Sequence, residues 1–314
     1  MLPIAKSEIS KKDIRDSFFD ELHQIGSKDH DVVIITNDMD VFSLREFKNN
    51  FPNQFINMGV AEQNMINVAA GLASCGKKVY IFGILSFVTF RCYEQIKFNI
   101  CSMNLPVTIV GMGCGLSFGF DGPTHHAIQD IIVMNALPEM MILNPSDSRS
   151  AAECAHISYK ARTPTYVRID KGQYPEFYIA SDNFNRGLKI LREIGEINII
   201  STGFMTTLAV EVADTLKKKG YEIGVVDIFR IKPLDKNFLI QTLCPSKKII
   251  IVEENSSSGG LYPIIIDIIN SFDKKVFVNR VGLPDEQFLS YGTREWHHDN
   301  YGLTKEKIID YIIN

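Results

Sequence analysis

The sequence predicts an α/β protein built from two doubly wound domains with mostly parallel sheets. Three observations carry that expectation. Short apolar runs alternate with helical patterns from one end of the chain to the other, as in stacked βαβ units. Several runs are apolar at every position, as expected of parallel strands covered on both faces. The length of 314 residues suits about two domains.

The first half supplies six strand-like runs in order: "DVVIITND", "QFINMG", "KKVYIFG", "PVTIVGMG", "MMILNPS" and "PTYVRID". "IRDSFFDELHQIG" and "SDSRSAAECAHISYKA" read as helices, the second with Ser146 or Asp147 as its N-cap. The second half adds the strands "INIISTG", "EIGVVDIF", "KIIIVEE" and "KVFVNRVG". Between them lie the helical stretches "TTLAVEVADTLKKKG" and "LYPIIIDIINSF". The turn-rich segment between the halves reads as a linker. The expected division is therefore residues 8–172, a linker at 173–185, and residues 186–314.

Composition narrows the class. A hydrophobic fraction of 45% and a charged fraction of 22% are those of an ordinary globular chain. A net charge of −4 gives no basis for nucleic-acid or membrane attraction. The first twenty residues lack signal-peptide features, and the run "FGILSFVTF" is too short to cross a bilayer. Six scattered cysteines without a C-x-x-C pair point to reduced thiols and a cytoplasmic setting, and no metal site is expected.

Doubly wound sheets bind ligands at the carboxyl ends of their strands. Asp38, Glu62, Phe87, Phe90, Asp121, His125 and Arg168 all follow or end strand-like runs. Glu62 raises the sharpest question, because "INMGVAEQNMINVAAGLASCG" surrounds a carboxylate with small and apolar residues. An unpaired buried carboxylate is costly, so such a group is paired, protonated or in use. The helix from Ala61 to Ser74 reads as apolar nearly all round and therefore buried, with Gly76 as its stop. A structural carboxylate near a helix N-terminus and a proton-handling one remain equally open at this point.

The order of motifs breaks the tie. "NMGVAEQNMINVAAGLASCG", "SFVTFRCYEQI", "LSFGFDGPTHHAIQDI", "NALPEMMILNPSDS" and "PTYVRIDKG" together resemble the pyrimidine-binding domain of transketolases and of the related deoxyxylulose-phosphate synthases. "VVDIFRIKPLD", "IVEENSSSGGL" and "VGLPDEQF" resemble their C-terminal domain. The resemblance implies a thiamine-diphosphate-dependent transferase of two-carbon ketol units. It makes Glu62 the carboxylate that hydrogen-bonds N1′ of the aminopyrimidine and promotes the tautomer that deprotonates the thiazolium. Phe87, Phe90 and Tyr93 match the aromatic positions around the pyrimidine, with Phe90 stacking on it. Asp38 and Met39 match a cofactor-side pair, His125 the proton-handling histidine, Asp121 a substrate-hydroxyl contact, and Arg168 a substrate-binding arginine with Lys171 as its assistant.

The departures from the pattern are informative. No Gly-Asp-Gly metal and diphosphate signature occurs in the sequence. The resemblance therefore implies that Mg²⁺ and the diphosphate are held by a separate N-terminal subunit, in an α₂β₂ heterotetramer. Gly113 and Gly115 stand where transketolases carry polar phosphate contacts, and Cys114 where the synthases carry an arginine. Phe120 replaces an acidic residue and His126 a glutamine or synthase-like residue. These losses point away from the usual sugar-phosphate acceptor and toward a nonphosphorylated or nucleotide-linked sugar. A 2-oxo acid dehydrogenase E1 β-type subunit and a noncatalytic homologue are the alternative readings. The stretch "YGTREWHHDNYGLT", with His297 and His298, reads as a surface loop without an assigned role.

Overall fold

A computed structural model describes residues 12–39, 41–272 and 274–313. The expected domain limits at 8 and 314 lie outside these residues. Every strand anticipated from the apolar runs is present: β1 (Val32–Thr36), β2 (Phe55–Asn57), β3 (Lys78–Ile84), β4 (Thr108–Met112), β5 (Met141–Leu143) and β6 (Thr165–Ile169) in the first half. The second half contains β7 (Leu188–Arg192), β8 (Ile197–Ser201), β9 (Gly224–Ile228), β10 (Arg230–Lys232), β11 (Lys248–Ser256) and β12 (Phe277–Leu283). The sequence did not single out β7 and β10. Both are edge strands and both pair antiparallel, so neither has the all-apolar pattern of a doubly covered strand.

The first sheet runs β10-β5-β6-β4-β3-β1-β2 and the second β12-β11-β8-β9-β7. In the first, β1 pairs with β2 on one side and β3 on the other, so the strand order reverses beside β1. That is the position where a doubly wound sheet opens a crevice at its carboxyl edge. Side-chain alternation along β1 divides the two layers. Val33 and Ile35 pack with Met65, Ile66 and Ala69 of the Glu62–Ser74 helix, whereas Val32 and Ile34 pack with Phe18, Leu22 and Phe47 on the opposite face.

Two expectations are corrected. The Glu62–Ser74 helix is buried along one face only. Gln63, Asn64, Asn67, Gly71 and Ser74 form an exposed stripe, because the helix covers the sheet from one side. The joining segment at 173–185 also packs against the core. Tyr178 is buried, stacks on Phe184, and gives its hydroxyl to Asp227 at 2.7 Å. His297 and His298 lie on the Arg294–Tyr301 helix, both buried, not on a surface loop. The helix begins at Thr293, whose hydroxyl caps the Trp296 N–H at 2.9 Å. Of the two candidate caps for the Ser148–Lys160 helix, Asp147 is the one used, in a reciprocal box with Ser150.

Candidate active site

The carboxyl ends of β1 and β3 bring together residues that are far apart in the chain. Glu62 opens its helix and is 3% exposed. Oε1 accepts the Asn37 amide at 3.0 Å, and Oε2 accepts Arg91 Nη1 at 2.9 Å. Burial pushes the carboxyl up, but its own backbone N–H, the Asn37 amide and Arg91 together outweigh it. The group sits below its ordinary range and is held as an anion. Gly83 makes room for Asn37, since a Cβ there would lie 2.8 Å from Asn37 Oδ1. That same Oδ1 is buried and has no hydrogen-bond partner.

Arg91 extends the constellation. Its guanidinium lies 4.8 Å from the Phe87 ring centroid, and the Phe87 ring meets His125 edge-on at 5.0 Å. The Ser86 hydroxyl donates to the Thr124 carbonyl at 2.9 Å, tying the Leu85–Thr89 helix to the segment that carries His125. His125 Nδ1 lies 3.0 Å from the Thr124 hydroxyl. Phe118 approaches the His125 ring from another side, with centroids 6.1 Å apart. Glu62, Asn37, Arg91, Phe87 and His125 therefore form one connected group. Phe90 is 37% exposed, available to a flat ligand.

The other expected residues are placed differently. Tyr93 is half-buried against the core, and Asp121 is exposed on a short 3-10 turn, Gly119–Asp121. Asp38 and Met39 line a cleft at the β1 end together with Leu44, Phe55 and Asn57. Arg168 is turned inward. Its guanidinium is buried and bidentate to Asp130, at 2.5 and 3.0 Å, while the Tyr166 hydroxyl donates to the same carboxylate at 2.7 Å. Its position at a strand end told nothing of Asp130, which lies on another element 38 residues away. Lys171 offers its backbone N–H to the Asp170 side chain at 2.9 Å.

Sequence reasoning left Asn37 and Arg91 without roles. The available signal was spacing, since Arg91 lies four residues after Phe87, one turn along a helical path. A second network underlies the loop of Gly113, Cys114 and Gly115. Glu254 of β11 accepts both Arg294 and His298, and Arg294 also reaches Asp170 at 2.6 Å. Burial pushes the Glu254 carboxyl up, but Arg294 and His298 outweigh it and hold it far below the usual carboxylate range. Gly115 passes over this carboxylate with φ +56°, where a Cβ would lie 1.9 Å from Oε2. The His126 and His297 rings meet edge-on with centroids 5.2 Å apart, both buried. Among the described residues, no group of three metal-ligating side chains exists, and no helix is long and apolar enough to cross a membrane.

Comparison with known proteins identifies the two domains. The family described as "Transketolase, pyrimidine binding domain" matches residues 10–176, and "Transketolase, C-terminal domain" matches 187–308. One subunit of the apulose-4-phosphate transketolase of Phocaeicola vulgatus is 33% identical over 298 residues, covering 94% of each chain. The 1-deoxy-D-xylulose-5-phosphate synthase of Clostridium tetani is 32% identical over 291 residues, and the chain spans 47% of its length. Among solved structures, a split-gene transketolase described as an inactive β4 tetramer superposes with a TM-score of 0.87 at 28% identity, covering 96% of this chain and 97% of that one. The chain belongs to the transketolase family, as a transferase subunit carrying the pyrimidine-binding and C-terminal domains.

Proposed function

We propose that this chain contributes the pyrimidine side of a thiamine-diphosphate active site. A separate N-terminal subunit holds the diphosphate and Mg²⁺, in an α₂β₂ assembly. The observation that carries the reading is Glu62: a buried, ionised carboxylate fixed by Asn37 and Arg91 and linked through Phe87 to His125. The residues suit the cofactor. Glu62 accepts a proton-bearing ring nitrogen, Asn37 Oδ1 is an orphaned buried acceptor for an N–H donor, and Phe90 offers a ring face. When bound, thiamine diphosphate supplies the nucleophilic carbon that takes up the two-carbon unit.

The residues of this chain do the rest. Glu62 holds and polarises the pyrimidine nitrogen, and its low-dielectric seat strengthens that contact. Asn37 and Arg91 fix the carboxylate in one rotamer and keep it ionised. His125, steadied by Phe87 and Phe118, moves a proton at a substrate oxygen, and an imidazole suits that task near neutral pH. Asp121 meets a substrate hydroxyl. With Gly113, Cys114 and Gly115 in the loop and Arg168 turned inward, few cations face the acceptor there. The acceptor is therefore a sugar recognised mainly through hydroxyl groups. Because two of the similar transketolase subunits are named for apulose 4-phosphate, that ketose phosphate is the first donor to try.

The test is calorimetric titration of thiamine diphosphate with Mg²⁺ into the chain alone and into its mixture with a candidate N-terminal subunit. Tight binding in the mixture only is expected. Equally tight binding to the chain alone would overturn the shared-site reading.

A further inference from the structure

His126 and His297 take no part in the chemistry above. His126 is 5% exposed and His297 fully buried, and their rings meet edge-on at 5.2 Å. His126 belongs to the first domain and follows His125 directly, whereas His297 comes from the Arg294–Tyr301 helix of the second. Neither ring nitrogen of either residue has a hydrogen-bond partner. Four such atoms in one contact are unusual, since buried polar groups are nearly always satisfied. Trp296 closes one edge of His297 with ring centroids 4.9 Å apart, and the Tyr301 ring lies nearly parallel to it at 6.1 Å.

The pair sits against the loop that carries Asp121 and His125. Gly119 is pressed onto His297, where a Cβ would lie 3.0 Å from Cδ2 and 3.3 Å from Nε2. Its carbonyl accepts the Gly292 N–H at 3.2 Å. Gly122, at φ +77°, passes Tyr291 so closely that a Cβ would lie 2.3 Å from the ring. After the loop, Ala127 exchanges both backbone hydrogen bonds with Gly115, at 2.8 and 3.1 Å. Asp121 and His125 are thus held between that bridge and the second domain.

Little in this setting favours an imidazolium. The titratable groups that act on the pair are His125 from the loop, His298 from the helix of His297, and Glu254 from β11. Glu254 is already engaged by Arg294 and His298. The turn at Gly119 and the segment at Phe288 bring only backbone, outside hydrogen-bond geometry. Burial holds both rings below the ordinary histidine value, and His297 further opposes a charge on His126. A histidine lowered in this way contributes its full stability above the ordinary value and loses it as pH falls through the depressed one.

We propose that His126 and His297 are positioning residues that couple the loop bearing Asp121 and His125 to the second domain, holding it while both imidazoles are neutral and releasing it when one is protonated. The substrate roles of Asp121 and His125 rest on the function proposed above; the coupling does not. A charge on either ring is buried beside a second imidazole, where the one carboxylate that acts on the pair is already engaged. The domains stay joined, because Arg294 still binds Glu254 and Asp170, and Glu254 is held far below the usual carboxylate range. Mild acid therefore loosens the loop and leaves the fold.

Trp296 is the single tryptophan of the chain and lies against His297, so its emission reports that ring: an imidazolium quenches an indole far more than a neutral imidazole does. Emission of the full chain is titrated from about pH 7.5 to about pH 5, together with hydrogen exchange of the peptide 113–127, corrected for its intrinsic pH dependence. The wild type, His126→Phe/His297→Phe and His126→Gln are compared, with circular dichroism as the check on folding. In the wild type, emission should fall with a midpoint below the ordinary 6.5, and loop exchange should quicken about tenfold over the same interval while the circular dichroism holds constant. The double variant, with apolar rings of similar shape, should show neither change. His126→Gln should keep the quenching but move its midpoint upward, because repulsion from a second imidazolium is gone. The same quenching in the double variant, wild-type loop exchange that ignores pH, or an unmoved midpoint in His126→Gln would each overturn the proposal. So would a wild-type circular dichroism signal lost in step with the emission. If the double variant does not fold, the His126→Gln midpoint and the wild-type exchange decide.

Discussion

Replacing Arg168 by methionine separates a substrate arginine from a structural one. The guanidinium is 4% exposed and its partner Asp130 is fully buried. Two charge-assisted bonds at 2.5 and 3.0 Å are lost in the variant, and Tyr166 alone is left to face the carboxylate. Removing one member of a buried ion pair costs about 3–5 kcal/mol, because the survivor keeps its desolvation penalty. At about 2–4 °C of Tm per kcal/mol for a cooperative unit of about 150–250 residues, such as the first domain alone, Arg168→Met should lower that domain's Tm by about 6–20 °C in scanning calorimetry. Adding Asp130→Leu should return part of that loss, since the stranded charge is then gone. The double-mutant cycle reports the coupling free of the shared packing. A Tm within about 2 °C of the wild type, with a large rise in acceptor KM in the assembled enzyme, would refute the structural role.

Glu62→Gln should abolish turnover with the partner while leaving the melting curve of the chain cooperative; steady-state assays and calorimetry together check this, and retained turnover would sink the proposed role. Arg91→Met should move the Glu62 carboxyl upward, because a cation that favours the anion is removed; side-chain carboxyl NMR of the isolated chain reads the shift, and an unmoved titration would refute the coupling. Burial raises the Asp227 carboxyl to about 6 despite hydroxyls from Thr206, Tyr178 and Ser146. A raised carboxyl binds its proton more tightly in the folded state, so its contribution is full below the ordinary Asp value and fades as pH rises through about 6. Asp227→Asn should flatten that part of the stability profile between about pH 4 and 6, measured by urea unfolding at several pH values. Gly115→Ala meets both a left-handed φ and the Glu254 carboxylate, and should cost about 1–3 kcal/mol in the same assay, with a neutral result refuting the tight approach.

The layered α/β plan, ten of the twelve described strands in their order and the family resemblance could all be read along the chain. Continuous apolar runs and turn residues are local signals, and a parallel strand buried on both faces shows itself without knowledge of its neighbours. Glu62 was legible for a related reason, since a carboxylate in an apolar stretch contradicts its surroundings and demands a partner. The partners were not legible. Asn37, 25 residues before Glu62, and Arg91, 29 after it, meet it only because β1 and β3 are adjacent in the sheet. The folded arrangement also fixed the fate of Arg168 and of the His297–His298 pair. A charged or titratable side chain at an element's end reads as exposed until an opposing group such as Asp130 or Glu254 is brought against it. Which face a strand residue serves is local, because alternation fixes it. Which ion pair it joins depends on pairing across the fold, since electrostatic partners are chosen by distance in space and not along the chain.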